Sequence, residues 1–498
     1  MVNKDITNQR PKLPSRIVRL IERIFLEKKL NNWAGALLFA FVAIFMGYLL
    51  ARQTVVGIGV FGIAVGLAVV IICLLSTEAG FYINLVYSFF VYHFSRFAFN
   101  DAIPVGVITD VLILSMLFSL FIKGASLRKS LNEFVHTPVV IWTIMLYFYL
   151  TIQLFNPYGH SVEAWLQTVR RSLETLIFLF IAYQILSKKE NIRKYLRALF
   201  VVCTIAGLYG CIQQWHGLFD FERNWVMADE TRFGLVFIGG EFRKFSTFND
   251  PTAFGIVMAS CSVFYTIIAL AEPNKKIKRI LLGGVIIMIL GMAYSGTRTA
   301  NVMLMAGFVM FILLSFHKRG TRVFAFIGAI LFLIVMYIPI YSNGTINRFR
   351  SSFAGSEDES YKVREMSRAF IRPYIHSHPI GGGLETTGAH GVALNPGHYL
   401  AGFQTDSGYL KIALETGWIG LALICILFFF VLKSGISGYF ACRKEDTRIV
   451  YAAATSAIFC FYVGEFAQDA IGQVTDMVVY YPIIAIMLKL RYVDEREV

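Results

Sequence analysis

PTAFGIVMASCSVFYTIIALA, residues 251–271, contains no charged side chain. At 1.5 Å per helical residue such a run matches the roughly 30 Å of hydrocarbon in a bilayer. Only a helix satisfies its own backbone there, so the stretch reads as a membrane span. Downstream, Lys275, Lys276, Lys278 and Arg279 precede a second apolar run at 280–297. A third follows at 299–316, then Lys318, Arg319 and Arg322, then a fourth at 323–341. Apolar runs separated by short basic loops are the signature of a polytopic helical membrane protein.

The same pattern extends both ways. Further apolar segments lie near 33–50, 55–75, 79–99, 103–122, 138–155, 173–186, 195–215, 407–432, 448–468 and 474–490. The 173–186 segment is short, and 79–99 contains His93 and Arg96, so the expectation is an all-α polytopic bundle of about 12–14 transmembrane helices. Only 16% of residues are charged and 56% are hydrophobic, against about 25% charged in soluble domains. The net charge of +14 fits basic loops on one side of a membrane and does not call for nucleic acid. The seven cysteines form no CxxC pair and indicate neither a metal site nor a disulfide framework. No cleavable signal peptide is expected.

Four regions follow. Residues 1–32 are basic, and Ile17, Val18, Leu20, Ile21, Ile24, Phe25 and Leu26 suggest an amphipathic helix on the cytoplasmic surface. Residues 33–341 hold the first set of spans, with an outer loop near 216–250. Residues 342–406 form a large outer loop, and 407–498 the last spans with a short tail. This orientation puts the loops around Lys188, Lys189, Arg193 and Lys194, around Lys275–Arg279, and around Lys318–Arg322 in the cytoplasm. Within the large loop, Val363, Met366, Ala369, Phe370 and Ile371 give Tyr361–Ile375 helical spacing. The helix should stop at the breaker run His378-Pro379-Ile380-Gly381-Gly382-Gly383.

Arginine on the outer side needs a reason. Arg223, Arg232 and Arg243 lie in the first loop, Arg298 at a junction between two spans, and Arg348, Arg350, Arg364, Arg368 and Arg372 in the second loop. A planar, always charged guanidinium suits phosphate oxygens, so several converging there fit a lipid-linked pyrophosphate. Asp406 and Glu415, flanking the start of the 407–432 span, are candidate general bases for an acceptor hydroxyl. His376, His378, His390 and His398 match no compact metal signature, but one of them is a further base candidate. The glycine run is not a nucleotide fingerprint, and no Walker motif or cytoplasmic DxD site is present, which disfavours ATP or nucleotide-sugar chemistry. No cofactor is indicated.

Three stretches together resemble a known family. They are Arg243-Lys244-Phe245-Ser246-Thr247-Phe248-Asn249-Asp250-Pro251, then Ser295-Gly296-Thr297-Arg298-Thr299-Ala300, then Arg364 with His378–Gly383, Asp406-Ser407-Gly408-Tyr409-Leu410 and Leu414-Glu415-Thr416-Gly417-Trp418-Ile419-Gly420. The set resembles the O-antigen ligase and Wzy-type polymerase superfamily of bacterial envelope glycan transferases. The resemblance implies a C-type glycosyltransferase bundle in the bacterial inner membrane, with its site facing the periplasm. It implies an undecaprenyl-pyrophosphate-linked glycan donor, a glycan, lipid or protein acceptor, and metal-independent transfer. Arg243, Arg298 and Arg364 would then hold the pyrophosphate. Asp406 stands where ligases of the family carry a His in a His-Asn-x-Tyr-Leu sequence. The base is therefore Asp406, His398 or Glu415, with Tyr409 nearby as an acceptor-site candidate. Ligase and polymerase stay open, and the alternative of another class is a transporter or flippase of lipid-linked glycans.

Overall fold

The computed structural model describes residues 33–99, 101, 105–123, 127–340, 343–353 and 359–495. The expected amphipathic segment at 1–32 lies outside them. The described chain is helical almost throughout. In order the helices are α1 (Trp33–Arg52), α2 (Thr54–Leu75), α3 (Thr77–Phe99), α4 (Val105–Lys123), α5 (Leu127–Val135), α6 (Pro138–Ile152), α7 (Val162–Ile185), α8 (Lys189–His216), α9 (Asp220–Met227) and α10 (Glu230–Val236). A two-residue hairpin follows, β1 (Phe237–Ile238) against β2 (Glu241–Phe242). Then come α11 (Pro251–Ala271), α12 (Lys275–Tyr294), α13 (Arg298–Ser315), α14 (Arg319–Tyr337), α15 (Gly344–Ser351), α16 (Glu359–Ser377), α17 (Gly388–Leu394), α18 (Gly408–Ala441), α19 (Glu445–Gly464) and α20 (Val474–Glu495).

Each of the fourteen apolar segments overlaps one of these helices. Among the described residues nine helices are long and apolar enough to cross a membrane: α4, α6, α8, α11, α12, α13, α14, α18 and α19. The protein is an all-α, multi-pass membrane protein. The short 173–186 segment is the apolar end of α7, whose first half carries Glu163, Arg170, Arg171 and Glu174.

Two compact units divide the chain: residues 1–81 with 111–128, and residues 82–110 with 129–498. In the first, helices meet closely at Gly80, where an added Cβ would come 2.8 Å from Met116 Cγ and 3.1 Å from Cys73 Sγ. Thr77 donates to Ser119 at 2.9 Å in the same layer.

The second unit is built around α11. Small residues let neighbouring helices approach it, the packing mode favoured where lipid supplies no hydrophobic drive. A Cβ at Gly255 would meet Ser295 Oγ at 2.5 Å, and one at Gly307 would meet Cys460 Sγ at 2.4 Å and Val263 at 2.9 Å. Ser260 donates to the Ala457 carbonyl at 3.0 Å and Tyr265 to that of Leu196 at 2.7 Å. α11 is therefore buried on nearly every face, whereas α14 is exposed along nearly its whole length.

At one end of this unit the connections interlock. Lys244 N–H donates to the Tyr294 carbonyl at 3.1 Å, Asn156 Nδ2 to that of Gly381 at 3.1 Å, Arg368 to that of Phe466 at 3.2 Å, and Gln473 Nε2 to Asp250 at 2.9 Å. The opposite end is tied by Gln184 to Ser130 at 2.6 Å, Lys489 to Glu133 at 3.3 Å, and Lys318 to Glu445. The two long loops belong to the first end, and each carries short helices. The 216–250 loop contains α9, α10 and the hairpin, and 342–406 contains α15, α16 and α17.

Candidate functional site

Two of the motif stretches are locked together ahead of α13. Asp250 caps α11, accepting from Thr252 N at 2.7 Å and Ala253 N at 3.0 Å. The preceding turn puts Ser246 at φ +51°, with its N–H on Gln213 Oε1 at 2.8 Å and its hydroxyl on the Ala206 carbonyl at 2.6 Å. Arg243 reaches across the gap. Its Nε donates to the Ser295 carbonyl at 3.0 Å, Nη1 to that of Leu235 at 3.1 Å, and Nη2 to Thr297 Oγ1 at 2.9 Å. Thr297 in turn donates its hydroxyl to the Pro251 carbonyl at 3.0 Å and does not cap α13, of which it is the N-cap residue. The positive end of α13 thus opens beside Arg298, its first residue.

A third arginine joins them. Arg348, on α15, lies over Gly296, whose φ is +61° and where a Cβ would come 2.1 Å from Arg348 Nη1. Burial, with the charges of Arg348 and Arg298, pushes Arg243 down to about 10. Burial likewise lowers Arg348, with Arg298 adding to the effect and Glu241 opposing it. Lys244, nearly buried, is lowered by its burial too. The three guanidinium groups lie near enough to repel one another in a half-buried setting, with Glu241 facing Arg348. The resemblance had named Arg243 and Arg298 together, and the structure brings both near Thr297. Arg348 was one of several loop arginines, and only the fold singles it out.

Support comes from behind. Glu222, fully buried, accepts from Tyr209 at 2.8 Å, Gln213 at 2.8 Å and the Phe219 N–H at 3.2 Å. Burial raises its pKa in spite of these donors. Arg96, the unexpected charge of α3, sits 4.6 Å from the Trp225 ring and 4.7 Å from that of Phe245, and donates to the Phe248 carbonyl. Its side chain braces the turn that carries Arg243.

The remaining motifs form one feature. α18 is broken at Gly417 (φ +68°, ψ −164°). The glycine run lies along that break as a backbone clasp: Gly382 N donates to the Leu414 carbonyl at 2.7 Å, Gly383 N to that of Glu415 at 3.0 Å, and Trp418 N to that of Pro379 at 2.9 Å. Gln153 and Asn156 donate to the Ile380 carbonyl at 3.0 and 3.2 Å. A Cβ at Gly381 (φ +81°) would come 2.4 Å from the Glu415 carbonyl carbon. His378–Gly383 and Leu414–Gly420 are thus two halves of one structure.

Around the clasp the base candidates separate. Glu415 is buried and lines a cavity of about 260 Å³ with Lys411, Glu385, Arg171, Asp469 and Tyr481. Its Oε1 accepts from Thr387 Oγ1 at 2.5 Å. Arg171 pairs with Glu385 at 3.5 Å and Lys411 with Asp469 at 3.4 Å. Tyr409 spends its hydroxyl on the Tyr462 carbonyl at 3.0 Å, tying α18 to α19. Asp406 is exposed. It is not the cap of α18: Ser407 is, accepting from Leu410 N at 3.4 Å and donating to the Glu465 carbonyl at 3.1 Å. His398 lines a second cavity of about 670 Å³. Its Nδ1 accepts from Leu400 N at 3.1 Å, which occupies the lone pair a base needs. Burial lowers its pKa, helped by His160 and opposed by hydrogen bonds to the Gly382 and Tyr158 backbone. Arg364 falls within α16, and its side chain lies outside the described ones. The arginine group lines neither cavity. The segment between α19 and α20 links it to the first, since Gln473 holds Asp250 while Asp469 and Gly472 line that cavity.

Residues 283–425 match the family model described as O-antigen ligase. Over this segment the chain is similar to that family. The segment runs from α12 into α18 and contains Arg298, Arg348, the clasp, Asp406 and Glu415, while Arg243 precedes it. No curated protein matches the chain. The match supports ligase-like glycan transfer in a membrane setting in general, with lipid-linked glycans as the substrate class.

Proposed function

We propose that the protein transfers a glycan from an undecaprenyl-pyrophosphate carrier to an acceptor hydroxyl on the periplasmic side of a bacterial inner membrane, without a metal. Arg243, Arg298 and Arg348 grip the diphosphate, with Arg364 a further candidate. The acceptor oxygen attacks the anomeric carbon as the bond from that carbon to the pyrophosphate oxygen breaks, giving inversion. The acceptor proton goes to a carboxylate, Asp406 or Glu415. The diphosphate leaves with an added negative charge, which the guanidinium groups and the α13 N-terminus stabilise as it develops. Lipid core, another lipid-linked repeat and a protein are all acceptors compatible with this chemistry.

The observation that carries the reading is the convergence of three mutually repelling arginines at an uncapped helix start. The test is Arg298→Ala in cells. Lipid-linked glycan should accumulate and attached or polymerised glycan vanish, with the protein still in the membrane. Unchanged product would overturn the proposal. Deletion of the gene separates ligase, which leaves long lipid-linked polymer, from polymerase, which leaves single repeats.

A further inference from the structure

The larger cavity has no part in the mechanism above. It lies between the turn at Pro157–Ser161 and the segment running from Tyr374 to Tyr399. Its volume of about 670 Å³ falls within the roughly 300–1,000 Å³ usual for small-molecule sites. No Asp, Glu, Lys or Arg lines it. In a chain of net charge +14, at an end crowded with arginine, that absence among its lining residues disfavours a diphosphate, a carboxylate or an amine as its ligand.

What lines it instead is a ring stack. Tyr374 lies between His378, at 3.9 Å and 10°, and Tyr399, at 5.2 Å and 12°. Tyr158 meets His378 edge-on at 4.6 Å. Tyr399 keeps 62% of its surface exposed. An aromatic face is electron-rich, and the C–H face of a sugar ring, weakly positive, packs flat against it. Hydroxyls at the sugar's rim need neutral partners. Asn395 lines the cavity with its amide oriented by donation to the Glu385 carbonyl at 3.0 Å, and its buried Oδ1 has no hydrogen-bond partner. The clasp packs behind two of the lining residues: a Cβ at Gly382 would meet Tyr374 Oη at 2.5 Å and His398 Cε1 at 3.1 Å, while its neighbour Gly381 lies against Glu415.

We infer that this cavity is a glycan subsite that binds uncharged sugar rings of the donor or acceptor chain on the ring stack of Tyr399, Tyr374 and His378. It rests on the glycan-transfer reading and adds to it a site for the sugars away from the reacting bond. The test uses the full chain in lipid nanodiscs. The probe is glycan released by mild acid from the lipid-linked pool of cells lacking the protein. Saturation-transfer NMR should detect binding to the wild type, insensitive to added inorganic pyrophosphate. Tyr399→Ala and Tyr399→Leu should weaken it at least tenfold, and Tyr399→Trp should retain it. In the transfer assay the alanine variant should raise KM at unchanged kcat, for the donor or for the acceptor according to which chain the subsite holds. No binding by the wild type, or unchanged binding and KM in both truncated variants, overturns the subsite. Arg298→Ala separates the two claims: it should abolish transfer and leave probe binding intact, whereas persisting transfer in that variant sinks the catalytic reading whatever Tyr399 does.

Discussion

Gly417→Ala should open the clasp without touching a charged group. The native φ of +68° with ψ of −164° lies in a region essentially reserved for glycine, and forcing another residue there costs about 1–3 kcal/mol. The new methyl group would also come 2.0 Å from the Pro379 carbonyl oxygen and 2.5 Å from Gly381 N. Neither atom belongs to a flexible side chain, so the two strands must separate. That removes the bonds from Trp418 N, Gly382 N and Gly383 N, each contributing about 0.5–1.5 kcal/mol net. Together the local destabilisation is roughly 3–7 kcal/mol. Hydrogen exchange by mass spectrometry reads it directly: amides 382, 383 and 418 should lose protection by at least a hundredfold, while α11 keeps its own. Transfer should fall in parallel, since Gly381 packs against Glu415 and Gly382 against Tyr374 and His398. Unchanged exchange at those amides would refute the reasoning.

Arg243→Lys should cut kcat/KM for glycan transfer roughly tenfold to a hundredfold, because an ammonium cannot span the Ser295, Leu235 and Thr297 acceptors that orient the fork; wild-type kinetics would contradict this. Glu222→Ala strands Tyr209 and Gln213, and Gln213 holds the Ser246 N–H. A lower thermal midpoint is expected, by the equivalent of about 1–3 kcal/mol, with faster exchange at 244–248 and none at 379–383. His398 titrates below its ordinary 6.5 in the native state, so the unfolded chain takes up the proton first as pH falls. Stability should therefore be flat above about 6.5 and decline below it. A fluorescence melt series from pH 7.5 to 5.5 checks this, and His398→Gln should flatten the decline.

The membrane fold was legible because hydrocarbon leaves the sequence little choice. Every long apolar run became helical, and even the doubtful 173–186 and 79–99 segments proved to be parts of α7 and α3. Arg96 looked like an argument against a span. It is near the helix end, where its long side chain reaches the 245–248 turn. Their shared side placed Arg243 and Arg298 among the outer arginines, and the family resemblance singled them out. Arg348 was not singled out, because its approach to Gly296 depends on how α15 folds back, which no local pattern encodes. The glycine run at 381–383 could be told apart from a phosphate loop, but its role as a partner for a broken helix needed the positive φ at Gly417.

The arginine group should bind a lipid diphosphate. The measurement is the affinity of undecaprenyl pyrophosphate, against undecaprenyl monophosphate, for the nanodisc-reconstituted wild type and for Arg243→Ala, Arg298→Ala and Arg348→Ala. The wild type should prefer the diphosphate, and each variant should lose roughly tenfold to a hundredfold in diphosphate affinity, the equivalent of about 1.5–3 kcal/mol per charge-assisted contact. Equal affinity for the two lipids, or variants that bind the diphosphate as tightly as the wild type, would mean that the arginines do not hold it.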